Sequence, residues 1–387
     1  MQSELIADCV HCGFCLPTCP TYALWHEEMD SPRGRIYLMK GLVEGTLPLS
    51  DTVVEHFDRC LGCMACVTSC PSGVRYDRLI EQTRDHVERH HRRGPLEWLV
   101  RAAIFAVLPH RRRLRMALAL RRLPAPGPFA PLKQIAPPWA APEWPPEHLP
   151  GDGPRVAVMA GCVQSVVFGD VNAATARVLH AEGFDVHVPR DQGCCGALHA
   201  HAGRLEEGVA RARALELSLA GYDYVVTNAA GCGSHLKDHG IANAVDVSEL
   251  LTLPRAQRHP LPLRVAFQDS CHLRHAQRVS AEPRALLDAI PGLERIEPAE
   301  QEICCGSAGI YNIVQPAAAA TLGDRKAQNV LAAEPDAYAS GNPGCLVQVS
   351  AALRRAGRPI PAFHPIELVD ASIRGLSTAT LLQEARR

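Results

Sequence analysis

Sixteen cysteines, arranged as four groups of four, constrain this 387-residue chain more than any other feature of its sequence. The first two groups lie near the start of the chain, at positions 9, 12, 15 and 19 and at positions 60, 63, 66 and 70. The last two are at positions 162, 194, 195 and 232 and at positions 271, 304, 305 and 345. Equivalent cysteines of the last two groups are 109 to 113 residues apart, and each group contains the tripeptide Cys-Cys-Gly, which predicts an internal duplication.

The composition indicates thiols rather than a disulfide framework. Cysteine is too sparse for a disulfide scaffold, and a chain of this length buries enough core to fold without one. Because we recognise no secretory signal at the start, we expect a reducing compartment. The net charge of -1 gives no electrostatic reason to expect a nucleic-acid partner. The apolar residues 102–109 are far fewer than the roughly 18 of a spanning helix, so we expect no membrane crossing by this chain alone.

The first eight cysteines follow the spacing of bacterial ferredoxins, which hold [4Fe–4S] clusters. Both runs have the form C-x2-C-x2-C-x3-C-P, namely Cys9-x2-Cys12-x2-Cys15-x3-Cys19-Pro20 and Cys60-x2-Cys63-x2-Cys66-x3-Cys70-Pro71. In two-cluster domains the fourth cysteine of a run binds the other cluster. We therefore predict one cluster on Cys9, Cys12, Cys15 and Cys70 and a second on Cys60, Cys63, Cys66 and Cys19.

Structural zinc is the alternative, because a C-x2-C pair is also a zinc signature. Zinc needs only four ligands in two pairs, whereas eight arrive here in two four-fold runs, each followed by proline, so the spacing favours clusters. The two runs are separated by helix-like sequence around residues 36–39, which predicts a helical ferredoxin domain rather than the compact β form.

The last eight cysteines follow predicted β-strands. In the first repeat, residues 155–160, 185–188 and 222–227 are predicted strands, and residues 263–267 open a similar pattern in the second. The cysteines fall just past the carboxyl ends of these strands, where α/β folds gather ligands. These cysteines, Cys162, Cys194, Cys195, Cys232, Cys271, Cys304, Cys305 and Cys345, are candidates for one or two further clusters. Buried structural cysteines and a redox disulfide are the alternatives, but packing does not explain two vicinal pairs followed by glycine.

The stretch between the two halves has two parts. The first is basic and amphipathic, with apolar residues recurring from Leu96 to Val107 between arginine clusters, which is typical of a helix lying on a membrane surface. A helix packed on its own protein or on a partner subunit explains the pattern equally well. Residues 124–150 are so rich in proline that we predict an extended linker.

Several motifs together resemble the family of glycolate oxidase iron–sulfur subunits, which carry a ferredoxin domain and two "CCG" domains like those of heterodisulfide reductases. The motifs are Cys9-Val10-His11-Cys12-Gly13-Phe14-Cys15, Pro32-Arg33-Gly34-Arg35-Ile36-Tyr37-Leu38, Asp58-Arg59-Cys60-Leu61, Cys70-Pro71-Ser72-Gly73-Val74, Gly161-Cys162-Val163-Gln164, Asn172-Ala173-Ala174-Thr175-Ala176-Arg177 and Cys304-Cys305-Gly306-Ser307-Ala308-Gly309. The resemblance implies a complex in which a flavin subunit oxidises glycolate to glyoxylate. It further implies that this subunit passes electrons to a quinone or other acceptor at the cytoplasmic face of the inner membrane.

We accordingly expect an α+β multidomain chain. The predicted segments are a helical ferredoxin domain with two clusters at 1–89, a basic helix and proline-rich linker at 90–152, a first CCG domain at 153–258 and a second at 259–387.

The CCG repeats differ from the heterodisulfide reductase pattern, which has five cysteines per repeat. His235 and Gln348 stand where that pattern has its last cysteine, so four remain, enough for one ordinary cubane but not for a cluster of the reductase kind. His199, His235 or His272 are candidate auxiliary ligands, although a polar surface or capping role is commoner for such histidines.

The chain shows no nucleotide fingerprint, phosphate loop or nucleophile elbow, so we expect the hydride-taking chemistry on a flavin partner. The alternatives are the corresponding subunit of a D-lactate or anaerobic glycerol-3-phosphate dehydrogenase, and a disulfide reductase.

Overall fold

The computed structural model describes residues 3–119 and 144–384. Most of the predicted proline-rich linker lies outside the described residues. At its end, His148–Leu149 (β1) pairs antiparallel with a strand of the following sheet, at the sheet's edge. The predicted domain boundaries near residues 89, 152 and 258 stay predictions.

The first half of the described chain is helical, as the spacing of the two cysteine runs predicts. The helices are Ser3–Ala7 (α1), Pro20–Trp25 (α2), Pro32–Val43 (α3), Asp51–Arg59 (α4), Ala65–Thr68 (α5) and Tyr76–His90 (α6), with a 3-10 turn at Glu28–Asp30. Ser31 begins α3 by accepting a hydrogen bond from the N–H of Gly34 at 3.0 Å. The fully buried Met39, Phe57 and Leu79 join α3, α4 and α6 in one core beneath the cysteine loops.

The basic section forms two helices, Pro95–Val107 (α7) and Arg111–Ala119 (α8). Val100, Ile104 and Phe105 are buried against apolar residues of the second half of the chain, so one face of α7 packs on its own protein. A different face is exposed, with Leu96, Trp98 and Leu99 each more than half accessible to solvent.

The second half is an α/β duplication, which confirms the predicted fold class. The strands are Arg155–Val158 (β2), Asp185–His187 (β3), Tyr224–Thr227 (β4), Ala244–Asp246 (β5), Leu263–Phe267 (β6), Leu293–Ile296 (β7), Ala337–Ala339 (β8) and Ala362–Phe363 (β9). The helices are Gln164–Val167 (α9), Gly169–Ala181 (α10), Ala197–His201 (α11), Leu205–Ser218 (α12), Ala230–Asp238 (α13), Val247–Leu250 (α14), Ala281–Asp288 (α15), Tyr311–Val314 (α16), Pro316–Ala332 (α17), Pro343–Arg355 (α18), Pro365–Ile373 (α19) and Thr378–Glu384 (α20), with a π-helical turn at His272–Ala276.

The two sheets have equivalent strand orders. The first is β1-β3-β2-β4-β5 and the second β7-β6-β8-β9, and all strands except the added β1 run parallel. In each sheet the second strand of the repeat lies on one side of the first strand, and the third strand lies on the other side. Folds of this kind bind ligands at that switch point, at the carboxyl ends of the strands.

The two repeats share one apolar core. In the first repeat, α10 follows the first strand, and it packs on α19, which follows the last strand of the second repeat. In the same way α15, after the first strand of the second repeat, packs on α14, after the last strand of the first. Arg177 and Asp370 join α10 to α19 by an ion pair of 2.6 Å. The arrangement is therefore approximately two-fold symmetric.

Candidate iron–sulfur sites

All sixteen cysteines are free thiols in this structure, so no redox disulfide is formed. A tetrahedral zinc site with four thiolates at about 2.3 Å places its sulfurs about 3.8 Å apart. No three cysteine sulfurs of the described residues, which include all sixteen, lie within 4.8 Å of one another. None of the four sets therefore has the closed four-thiolate arrangement of a zinc site in this structure.

The first site lies where the two cysteine runs meet. One cavity is lined by Cys9, Cys12, Cys15 and Cys70, the set predicted for the first cluster, and also by Cys66 of the predicted second set and by Phe14. Burial raises the pKa of Cys15 to about 11. Burial also raises the pKa of Cys9, and nearby Cys70 and Cys12 raise it further. The loop turns through positive φ at His11 and Gly13, so that its sulfurs converge on the cavity.

The second site is deeper. Cys60, Cys63 and Cys66 are buried. Burial is the largest cause of the raised pKa of Cys63 and of Cys66, and neighbouring thiols, Cys19 among them, raise it further. The N–H of Gly62 donates to Cys60 Sγ at 3.4 Å, as backbone amides do around cluster thiolates. Cys19 therefore lies near the second run and Cys70 near the first, and the two crossed ligand sets stay a prediction.

A buried cation beside the second site was missed by the sequence reasoning. Arg35 is 1% exposed and donates to Asp30 Oδ1 at 3.2 Å, to Thr21 Oγ1 at 3.0 Å and to the carbonyl oxygen of His56 at 2.6 Å. Although burial raises the pKa of Cys60, the guanidinium groups of Arg35 and Arg84 outweigh it and lower that pKa. The sequence signal for this buried cation was an arginine placed among the apolar residues of a predicted helix. Arg35 therefore favours the thiolate that metal binding requires.

The last eight cysteines are grouped by repeat. Cys162 Sγ and Cys194 Sγ are 3.5 Å apart, and Cys195 Sγ and Cys232 Sγ are 3.1 Å apart. In the second repeat Cys271 Sγ is 4.0 Å from Cys304 Sγ, and Asn342 Nδ2 donates to Cys345 Sγ at 3.5 Å. Hydrogen bonds from Cys162 and Cys195 lower the pKa of Cys194, which favours its thiolate.

The glycine after each vicinal pair has a steric reason. Gly196 and Gly306 have φ of 91° and 89°, a left-handed conformation that only glycine adopts readily. A Cβ at Gly196 would lie 2.1 Å from the carbonyl oxygen of Gly208, and one at Gly306 would lie 2.7 Å from that of Ala319. The backbone must therefore come this close for the two cysteines to face the same site.

Gly196→Ala is expected to reduce the iron content of the first repeat and to lower the unfolding midpoint of the chain. The added Cβ meets backbone rather than a movable side chain, so the Cys194–Cys195 turn must shift. Iron analysis and denaturant unfolding of the anaerobically purified chain would measure both effects. Gly193→Ala is the matched control, because nothing lies within 4 Å of its Cβ position. Equal behaviour of the two variants would contradict the steric explanation.

The two repeats open onto one space, which we call the eight-cysteine cavity. It has a volume of about 630 Å³ and is lined by the last eight cysteines, by Val107, Leu108 and Leu114 of α7 and α8 and their connection, and by Leu61 beside the second ferredoxin site. Sequence reasoning predicted each set of cysteines but not that both face the same cavity.

The ferredoxin half contacts this region directly. Cys63 and Cys304 pack in one apolar cluster with Leu61, Ile303 and Tyr311. Arg84 donates to the carbonyl oxygens of His201, at 2.7 Å, and of Cys60, which ties the second ferredoxin site to the first repeat. The cysteine sets therefore follow one another from the exposed Cys12, through the second ferredoxin site, to the eight-cysteine cavity that both repeats line.

Of the candidate histidine ligands, His272 is engaged at both ring nitrogens, whereas Nδ1 of His199 and Nδ1 of His235 have no hydrogen-bond partner among the described residues. His272 hydrogen-bonds through Nδ1 to Ser234 Oγ at 2.8 Å and through Nε2 to the carbonyl oxygen of Gly62 at 3.0 Å, so neither nitrogen is free for iron. His235 Nε2 lies 3.3 Å from the carbonyl oxygen of Gly208, and the His199 ring packs 5.1 Å from that of Phe105.

Two family models match this chain. A 4Fe–4S dicluster domain matches residues 5–74, and a cysteine-rich domain named CCG matches residues 156–237 and again 265–350. Together with the fold, these matches define the class: an iron–sulfur protein in which a two-cluster ferredoxin domain precedes two CCG domains.

Named relatives identify the family within that class. A probable glycolate oxidase iron–sulfur subunit of Bacillus subtilis (strain 168) is 34% identical over 99% of this chain and 94% of the relative. The glycolate oxidase iron–sulfur subunit of Escherichia coli (strain K12) is 35% identical over 96% of this chain and 95% of the relative. A fumarate reductase (CoM/CoB) subunit of Methanothermobacter marburgensis is 36% identical over 56% of this chain and 46% of the relative. The chain belongs to the family of glycolate oxidase iron–sulfur subunits.

This membership confirms the resemblance inferred from the motifs, and the chain is an iron–sulfur electron-transfer subunit. Among the residues that the structure describes, no helix combines the length and the apolar character needed to span a bilayer.

Proposed function

We propose that this chain conducts electrons within a glycolate dehydrogenase complex, from a flavin subunit that oxidises glycolate to glyoxylate toward a quinone. The observation that carries the proposal is the series of four cysteine sets, which begins at the surface and ends at the eight-cysteine cavity. Clusters transfer single electrons, whereas oxidation of a 2-hydroxy acid releases two, so a flavin must divide the pair before this chain receives it.

The proposed ligand sets are those predicted from the spacing. Cys9, Cys12, Cys15 and Cys70 hold one [4Fe–4S] cluster, Cys60, Cys63, Cys66 and Cys19 hold a second, and the last eight cysteines hold up to two more. In each set the thiolates supply the iron ligands, and neighbouring N–H groups such as that of Gly62 stabilise their negative charge.

The surface around the first site is the proposed docking face for the flavin subunit. Val10 and Phe14 are 68% and 67% exposed, and both belong to the loop that carries Cys12. Tyr37 on α3 is also exposed, and its ring lies 6.4 Å from that of His11. Large apolar side chains concentrated beside a redox site are typical of a protein interface. A partner that covers them comes close to the most exposed cysteine.

Co-purification with substrate assays tests this function. A tagged chain should capture a flavoprotein, and the complex should reduce an electron-accepting dye with glycolate faster than with D-lactate or glycerol 3-phosphate. Faster reduction with D-lactate or glycerol 3-phosphate would favour the corresponding alternative complex. Reduction of a disulfide by the isolated chain would favour the reductase alternative, which the four-cysteine repeats make less suitable.

Phe14→Glu is expected to weaken capture of the flavoprotein at least tenfold, because a carboxylate would have to be buried in the apolar interface. Pull-down titration against the purified flavoprotein measures the effect, and the cluster absorbance should stay unchanged. Leu217→Glu is the control, since Leu217 is 80% exposed on α12, away from the first site. Unchanged capture by Phe14→Glu would remove this docking face from the proposal.

The exposed face of α7 supports peripheral membrane contact. Leu96, Trp98 and Leu99 stand out from the surface, and the exposed Arg112 and Arg115 of α8 supply positive charge for anionic lipid. Ile104, which the amphipathic pattern also includes, is buried and belongs to internal packing.

A variant with Trp98→Glu and Leu99→Glu is expected to lose most of its binding to liposomes that contain anionic lipid. Flotation of the protein with the liposomes measures the bound fraction, and Leu253→Glu, at an exposed position outside α7, is the control. Lipid binding that survives the double substitution would show that α7 is not the membrane contact.

A further inference from the structure

We propose that a second, polar cavity beside the eight-cysteine cavity is a water-filled chamber that supplies protons, through the imidazole of His201, to a quinone reduced among the last eight cysteines. The inference rests on the proposed function, because it takes the acceptor to be a quinone. It adds the place of reduction and the source of the protons.

The chamber lies between the ferredoxin half and the CCG repeats. It has a volume of about 550 Å³, room for on the order of ten waters or more. Its lining is polar, with Thr68, Glu81, Ser234 and Asp238 among its residues. Arg75 and Arg278 also line it, and both are exposed, so water can enter.

The two cavities share a wall made of two imidazole rings. His201 and His272 line both spaces, and their ring centroids are 4.9 Å apart. Both nitrogens of His272 are taken by hydrogen bonds to Ser234 and Gly62, so this ring is held in place. His201 is different: Nδ1 lies 3.1 Å from Glu81 Oε1, but Nε2 is buried and has no hydrogen-bond partner among the residues that the structure describes. A buried ring nitrogen with no protein partner is free to exchange a proton with water or a bound molecule.

The charges around this wall suit proton transfer. Although burial raises the pKa of Glu81, the hydrogen bond with His201 and the nearby histidines lower it to about 2, so Glu81 is an anion beside Nδ1 of His201. Burial, followed by the charge of Glu81, raises the pKa of Asp238 to about 6, near neutrality, where it can bind and release protons.

The remaining ionisable groups that face this region are on three elements. Arg78, Arg84 and Asp77 are on α6, His235 and His239 are on α13 or directly after it, and His272 and His275 are on the π-helical turn. Burial lowers the pKa of His235 to about 3 and that of His275 to about 4, so both are neutral at pH 7 and do not compete as donors.

The eight-cysteine cavity suits the ring of a quinone. Clusters held by the eight cysteines would fill the part of this cavity that the cysteines line, so the proposed place for the quinone ring is the apolar part lined by Val107, Leu108 and Leu114. The same helix, α7, carries the exposed Leu96, Trp98 and Leu99 at its other end, so it joins the proposed lipid-facing surface to the apolar part of the cavity.

The reaction balances as quinone plus two electrons and two protons giving quinol. The electrons originate in the hydroxy acid oxidised on the flavin partner and arrive singly through the cysteine-bound centres. Each carbonyl oxygen of the quinone gains one O–H bond. His201 gives up a proton, and the chamber water and Asp238 replace it before the second transfer.

The test compares two acceptors in the whole complex with glycolate as the donor. A short-chain ubiquinone analogue needs protons, whereas ferricyanide takes one electron and none. His201→Gln should slow reduction of the analogue by about 10²-fold, the usual size of an acid–base contribution, and leave reduction of ferricyanide unchanged. Added imidazole should restore part of the rate in His201→Ala. Binding of the analogue to the isolated chain, followed by fluorescence quenching, should not change in His201→Gln.

His239→Gln is the matched control, because the His239 ring packs 4.4 Å from that of His235 but His239 lines neither cavity. Full reduction of the analogue by His201→Gln would overturn the inference and leave the proposed function standing. Equal loss with both acceptors would also overturn it, since it would show a structural role for His201. A wild-type complex that oxidises glycolate with ferricyanide but never reduces the analogue would overturn the quinone acceptor and this inference together.

Discussion

Cys70→Ser is expected to remove one [4Fe–4S] cluster and to leave the ferredoxin half with about four iron atoms instead of about eight. The lost cluster should be the one whose other ligands are Cys9, Cys12 and Cys15, although Cys70 belongs to the other run. The physical reason is the crossing of the two runs: Cys70 lines the same cavity as the first three cysteines, and its charge raises the pKa of Cys9. Iron and acid-labile sulfide analysis with EPR of the reduced chain measures the loss.

Comparison of variants identifies which cluster is lost. Cys9→Ser should abolish the same EPR signal as Cys70→Ser, whereas Cys19→Ser and Cys66→Ser should abolish the other. Ser72→Ala, two residues after Cys70 and exposed, is the control and should keep both signals. If Cys70→Ser and Cys66→Ser remove the same signal, each run holds its own cluster and the crossed ligand sets are wrong.

Arg35→Met is expected to destabilise the ferredoxin half by about 3–5 kcal/mol, because it leaves the carboxylate of Asp30 buried with its network broken. Asp30 is fully buried, and its other partners are Arg59 at 2.9 Å and His56 at 3.0 Å. Denaturant unfolding of the anaerobically purified chain, followed by cluster absorbance, measures the change. Loss of a cation beside Cys60 should also lower the reduction potential of the second site, since the reduced site is more negative.

Two further variants separate the causes. Arg33 is on the same helix as Arg35, and its ion pair with Glu28 is partly exposed. Arg33→Met should therefore cost no more than about 1 kcal/mol of stability. Arg35→Met combined with Asp30→Asn should recover part of the lost stability and part of the potential, because the buried carboxylate that Arg35 had neutralised is then removed as well. A full loss of stability in the double variant would show that Arg35 acts through packing rather than charge.

The cysteine chemistry could be predicted because spacing along the chain determines it. The C-x2-C-x2-C-x3-C-P runs indicate clusters by themselves, and glycine after a vicinal pair indicates a tight turn, which φ of 91° at Gly196 bears out. The strands of the CCG repeats were recognisable for a similar reason, since buried parallel strands such as β2 and β4 are short continuous apolar runs.

Long-range packing was beyond the same reasoning. The pattern of α7 showed an apolar stripe but not what covers it, and the structure divides that stripe between a buried Ile104 and an exposed Leu99. The neighbourhood of His201 and Glu81 was also invisible, because the two residues are 120 positions apart in the sequence. Such pairs depend on how the domains meet, which no local period encodes.

The exchange of helices between the repeats, α10 on α19 and α15 on α14, has a consequence for the origin of the chain. A single ancestral repeat would have left that apolar helix face uncovered, and two copies would have covered it by associating as a homodimer about a two-fold axis. Fusion of two such copies would turn the dimer axis into an internal one and leave each half free to diverge. In this chain both halves contact the ferredoxin domain, the first through His201 and Arg84 and the second through Cys304 and Cys63.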